Sequence, residues 1–144
     1  MKTLALVIVV GLLGCADMPR AVHYAAIATE VVAEGSLACD AASTHTALVE
    51  GEMAHDPTIH ETNTALGAHP DVGAEVAYFG GIGVALAGVN ETFEFGGEHM
   101  RGATERHRVA ADLWRIATNL VVTGIEIDAA AYNAQNHAHD ACGI

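Results

Sequence analysis

Residues 20–34 read RAVHYAAIATEVVAE, with Val22, Ile27, Val31 and Val32 recurring among alanines at helical spacing. No alternating β-branched pattern competes with that spacing, here or further along the chain. The pattern predicts a helix that starts beside Pro19 and stops near Gly35, or one longer arm in which Gly35 is only a kink. Ser36 can cap a second helix from Leu37 to Glu50, with Gly51 as its stop. From Glu52 to Asp71 the chain turns polar and holds Pro57 and Pro70, which predicts a structured loop of unusual length. Asp71 then caps a third helix over 72–89, followed by a glycine-rich, acidic connection through Gly102. Thr104 caps a long fourth helix over 105–136. The expected fold class is all-α: a small bundle of about four helices with one long structured loop, following an N-terminal signal segment.

Composition agrees with one such domain. The chain has 144 residues, 51% of them hydrophobic and only 17% charged, so it folds around one core or sits in a membrane. Its 6 basic residues face 18 acidic ones, a formal charge of −12. A partner held through phosphate contacts needs a basic surface that this balance does not supply, so nucleic acid is excluded as an expected partner.

The amino terminus has the layout of a secretory signal: Lys2, then an apolar run from Leu4 to Leu13, too short to span a bilayer comfortably. Leu12-Leu13-Gly14-Cys15 resembles the lipobox of bacterial lipoproteins. That resemblance implies removal of residues 1–14, a lipid on Cys15, and a single helical domain over residues 15–144. It further implies a protein anchored in the cell envelope and facing the periplasm; the loop from His55 to Pro70 would then meet an unidentified envelope protein as partner. Ala16 stands where an inner-membrane retention aspartate is familiar, which favours the outer membrane. The competing reading is an uncleaved anchor helix with a chance cysteine.

Of three cysteines, lipidation of one leaves Cys39 and Cys142 in an oxidising compartment. A disulfide between them would close a loop of roughly a hundred residues and contribute about 4 kcal/mol at most; otherwise Cys39 is a buried thiol. Lys2 is the only lysine. Four of the five arginines, Arg101, Arg106, Arg108 and Arg115, fall close together beside Trp114. They suit an interfacial anchor at headgroups or salt bridges to Glu98, Glu105 and Asp112. Gly73, Ala77, Gly81 and Ala85 form a small-residue stripe expected to receive another helix. Gly80-Gly81-Ile82-Gly83 lies inside an apolar helix without a preceding strand or a following lysine, which excludes a phosphate loop.

Asp40, Ser43 and Thr44 share one helical face, and Glu126, Asn133 and His137 line one side of the last helix. Together with the Glu61–Asn63 turn they can form a buried polar network that fixes the helices or binds a ligand. Asp40 and Thr44, followed by Glu61, Asn63, Gly67, His69 and Pro70, resemble small bacterial and phage membrane proteins. Those proteins carry an Asp-x-x-x-Thr helix and a Glu-x-Asn-Pro-x-x-Gly-x-His-Pro loop. The resemblance spans Cys39 to Asn133 and implies a helical, membrane-associated fold with no assigned reaction; Thr64 replaces the usual proline.

The same region offers a metal reading. His55, His60 and His69 crowd one loop with Asp56 and Glu61, and imidazole with carboxylate suits zinc or a similar divalent ion. No His-Glu-x-x-His spacing is present, and Ser43 lacks a nucleophile elbow, so no catalytic residues are assigned. The sequence therefore points to an exported, lipid-anchored protein with a structural or binding role. One alternative is a polytopic helical membrane protein with an intramembrane polar site, entering the bilayer over 21–50, 72–90 and 109–130. Its difficulty is Asp112, Arg115, Asn119 and Glu126 in one span, costly unless they face a wet or protein interior. A histidine/carboxylate metal protein or metal-dependent enzyme is the other alternative.

Overall fold

A computed structural model describes residues 18–54, 66, 70–99 and 102–136. Helices α1 (Met18–Ala54), α2 (Val72–His99) and α3 (Glu105–Asn136) account for nearly all of them, and no strand occurs among the described residues. The bundle thus has three described helices where about four were expected. The two predicted arms at 20–34 and 37–50 are one helix that runs through Gly35. An added Cβ at Gly35 would meet nothing within 4 Å, so that glycine serves no close approach. Its cost inside a helix is only about 1 kcal/mol, and the buried neighbours Ala33, Ser36 and Leu37 hold the helix together across it.

The second difference lies in α2, which continues past Val89 to His99 through the stretch expected to be a connection. Glu94 is anchored there by an ion pair to Arg115 of α3. Gly97 lets the two backbones approach: a Cβ at this position would lie 2.8 Å from the Ala111 Cβ and 3.4 Å from the Arg108 Cα. Gly97→Ala is therefore expected to push α2 off α3 and cost about 1–3 kcal/mol, read as a lower unfolding midpoint; Gly35→Ala should raise it.

Of the three predicted caps, Asp71 and Thr104 stand at helix starts, whereas Ser36 lies inside the continuous α1 and its hydroxyl donates to the Ala33 carbonyl at 2.8 Å. The Asp71 carboxylate accepts a hydrogen bond from the Ala74 N–H at 2.7 Å, satisfying one orphan donor at the start of α2. At α3, the Thr104 carbonyl accepts from the His107 and Arg108 N–H groups, and the His107 ring accepts from the Thr104 N–H at 3.0 Å. Gly102, with φ of +82°, makes the reversal between α2 and α3 possible.

Contacts set the directions. His23 meets Asp112 and Asp40 meets Asn133, so α1 and α3 run parallel. Asn90 meets Asn119 and Glu94 meets Arg115, so α2 runs antiparallel to both. The α1–α3 interface is the most extensive, and fully buried Ala26, Ala33 and Ala130 keep it close. A small apolar cluster of Leu37, Leu66 and Phe79 closes the bundle toward the start of α2. The predicted small-residue stripe points the other way: Gly73, Ala77, Gly81 and Ala85 are all exposed and receive neither of the other described helices.

Candidate functional site: a polar spine inside the bundle

Along α3 the residues Asp112, Arg115, Asn119 and Glu126 are buried, and Asn133 continues the same face. Their spacing of three, four and seven keeps them on the side turned toward α1 and α2. From Asp112 to Asn133 this face extends about 31 Å along the helix. It carries three polar clusters, one above another.

The first is built on Arg115, only 3% exposed. Its guanidinium donates to Glu30 of α1 at 2.8 Å, to Glu94 of α2 at 3.0 Å, and to Asp112 at 3.3 Å. Asp112 also lies 3.4 Å from the His23 ring. One cation thus holds three carboxylates from three helices. The Arg115 Nε–H is buried without a partner. The expectation that Arg115 works with Arg108 at a membrane surface is corrected here: Arg108 is exposed, whereas Arg115 points inward. Exposed Trp114 stacks on Phe93, ring centroids 6.3 Å apart.

One turn further, hydrogen bonds run in a single direction. The Asn90 amide donates to the Asn119 carbonyl oxygen at 3.0 Å, the Asn119 amide donates to the Thr29 hydroxyl at 3.5 Å, and Thr29 donates to the Ala26 carbonyl at 2.9 Å. Asn119 is completely buried, and the Asn90 Oδ1 acceptor is left unpartnered.

The third cluster joins five of the residues singled out in the sequence. The Asn133 amide donates to Thr44 at 2.9 Å, Ser43 at 3.2 Å and Asp40 at 3.4 Å. Ser43 donates to the Asp40 backbone carbonyl at 3.0 Å, and buried Glu126 lies beside Asp40. Near this cluster, His45 and Glu75 meet at 2.8 Å and tie α1 to the first turn of α2.

Glu61, Asn63 and the metal candidates His55, His60 and His69 lie outside the described residues, as do Cys15, His137 and Cys142. Among the described residues no group of three or more histidine, cysteine or acidic side chains is placed to hold a metal ion. Cys39 is disulfide-bonded. The Arg115 cluster was not assembled by sequence reasoning. Its available signal was the polar recurrence at 112, 115, 119 and 126, which reads as one inward face once the surrounding apolar residues are assigned outward.

No protein-family model, curated protein or solved structure matches the chain.

Proposed function

We propose that the chain is a small polytopic membrane protein whose three helices surround an intramembrane polar site. The observation that carries this reading is an inverted distribution of polarity. The largest fully buried side chains are Asn90, Asn119 and Ser43, while Val84, Val121 and Ile125 are 76%, 63% and 62% exposed. A water-soluble bundle gains its stability from the opposite arrangement. In lipid, outward valines cost nothing and inward polar groups find partners only in one another.

The outward faces support it further. Every exposed residue of α2 from 72 to 90 is valine, alanine or glycine. On α3 every exposed residue from 110 to 125 is likewise apolar or glycine, and Trp114 lies among them. Helix α2 is long and apolar enough to cross a membrane, and 17% of its apolar window is buried, unlike a soluble core helix. The cost of Asp112, Arg115, Asn119 and Glu126 in one span is relieved because all four face the bundle.

Charge gives the bundle an orientation. Arg20 opens α1, Arg106 and Arg108 open α3, and these ends lie together because α1 and α3 are parallel. Residues 50–71 and 129–144 contain no lysine or arginine. By the positive-inside rule the arginine end faces the cytoplasm, and Cys39, about 28 Å along α1 from Arg20, reaches the oxidising side.

The second reading is the lipid-anchored envelope protein, with the bundle wholly outside and its apolar faces covered by a protein partner. Outward Glu34, Glu91 and Asp128 favour it, as does the lipobox-like Leu12-Leu13-Gly14-Cys15. The two readings differ at the turn before α3. In bacterial spheroplasts expressing the full chain, a membrane-impermeant maleimide should label Val72→Cys above the parent's background. Glu105→Cys should stay unlabelled until the membrane is permeabilised. Labelling of Glu105→Cys from outside would overturn the polytopic reading in favour of the lipid-anchored one.

A further inference from the structure

At the arginine end of the bundle a cavity of about 400 Å³ lies where the three helices meet. Helix α1 contributes Arg20 and Tyr24 to it, α2 contributes Glu98, and α3 contributes Glu105 and Arg108, all of them exposed. The close approach of α2 and α3 at Gly97 forms part of its wall. Two further lining carboxylates, Glu94 and Asp112, are held by Arg115. Glu98, Glu105 and Arg108, in contrast, form no ion pair among the described residues. Glu105 and Arg108 stand three positions apart on one helix, the spacing at which such a pair can close, yet the two charges stay separate. The cavity therefore presents a cation and two anions side by side, each still open to a ligand.

We propose that this cavity holds a phosphoethanolamine headgroup, with the phosphate at Arg108, in the field of Arg20, and the ammonium at Glu98 and Glu105. The inference rests on the membrane reading, which supplies phosphatidylethanolamine as the source. Depth supports it. Tyr24 lies about 6 Å along α1 from Arg20 and Trp114 about 9 Å along α3 from Arg108, and both rings are exposed, as is Phe95 of α2. Outward aromatic side chains of this kind mark the boundary between lipid and water, so the cavity stands at headgroup level. Its volume falls within the range of about 300–1,000 Å³ that encloses small ligands.

Charge selects among headgroups. The lining carries four carboxylates against two arginines, a balance that opposes a headgroup with a phosphate alone. Phosphoethanolamine brings one charge of each sign, separated by two carbon atoms, and adds no net charge to the site. Its ammonium has three N–H donors for Glu98 and Glu105, as a lysine ammonium has, and its phosphate accepts paired donors from a guanidinium. A choline headgroup has the same two charges but no N–H to donate. The acyl chains would follow the outward apolar face that begins at Ala110 of α3.

The probes are phosphatidylethanolamine, phosphatidylcholine and phosphatidylglycerol with identical acyl chains. Titrated into the detergent-purified full chain and counted by native mass spectrometry, the ethanolamine lipid should bind about tenfold more tightly than either of the others, the worth of one charge-assisted contact. Glu98→Gln combined with Glu105→Gln should abolish the preference over phosphatidylglycerol, because the ammonium loses both anions. Arg108→Gln should weaken the ethanolamine and glycerol lipids alike, because both present a phosphate. These side chains are exposed and stand apart from the buried clusters, and helical circular dichroism establishes that each variant is folded. Three results would overturn the proposal. The parent could bind the three lipids equally, or its preference could survive in both variants. Binding of soluble glycerophosphoethanolamine as tight as that of the lipid would assign the site to a soluble ligand instead. Headgroup preference is read in detergent and leaves the maleimide pattern untouched, so failure here and failure of the membrane topology are separately visible.

Discussion

Arg115→Met is expected to destabilise the bundle by about 3–5 kcal/mol, the cost of leaving buried charge without its partner. The methionine fills much the same volume, so the loss measures electrostatics more than packing. Glu30, Glu94 and Asp112 approach one guanidinium within 3.3 Å or less; without it, three carboxylates are left facing one another, Asp112 the most buried of them. The check is the unfolding free energy of the parent and variant in the same detergent. A compensated variant, Arg115→Met with Glu94→Gln and Asp112→Asn, should recover most of the loss because it removes two of the orphaned charges. A single substitution that costs less than about 1 kcal/mol would mean that the cluster is hydrated like a surface salt bridge.

Val84→Arg should have an equally large effect for the opposite reason. Val84 is 76% exposed and its side chain leaves nothing in the bundle to disturb. At such a position on a protein surrounded by water, a substitution stays within about 0.5 kcal/mol of neutral. At the centre of a helix in lipid, arginine costs about 2.5–3.5 kcal/mol on insertion scales. The measurement is the fraction of full-length chain integrated into membranes against the parent, with Val121→Arg as the counterpart on α3. Loss of integration for both supports lipid contact, and unchanged integration of both would point to a water-exposed surface.

Much of this architecture is legible in the order of residues. Helix α3 starts at Glu105 and ends at Asn136 as its spacing predicts, because Thr104 supplies a local cap and no glycine or proline interrupts the middle except Gly124. Asp71 marks the start of α2 for the same local reason. Gly35 and the Val89–Gly102 stretch mislead because glycine speaks for a break locally, while the deciding contacts are distant: Ser36 and Leu37 are buried by other helices, and Glu94 meets an arginine 21 residues later. The third cluster could be assembled in part from spacing, since Asp40, Ser43 and Thr44 share a face whatever they pack against. Glu30 with Arg115 could not, because 85 residues separate them. A buried ion pair between distant helices leaves no periodic trace of its own.

The single-direction chain of hydrogen bonds from Asn90 through Asn119 and Thr29 has a consequence for how the helices find their alignment. Helices that meet through valine and leucine alone can slide by one turn and bury nearly the same surface. Here a slip of α2 along α3 by four residues would take Asn90 away from Asn119 and Glu94 away from Arg115 together. The Asn90 amide, the Asn119 carbonyl oxygen and the Arg115 guanidinium would then each lose a partner at once. Polar pairs of this kind act as pins that select one axial register among near-equal packings. The bundle gives up some stability for that selection and gains a single vertical alignment of its three polar clusters.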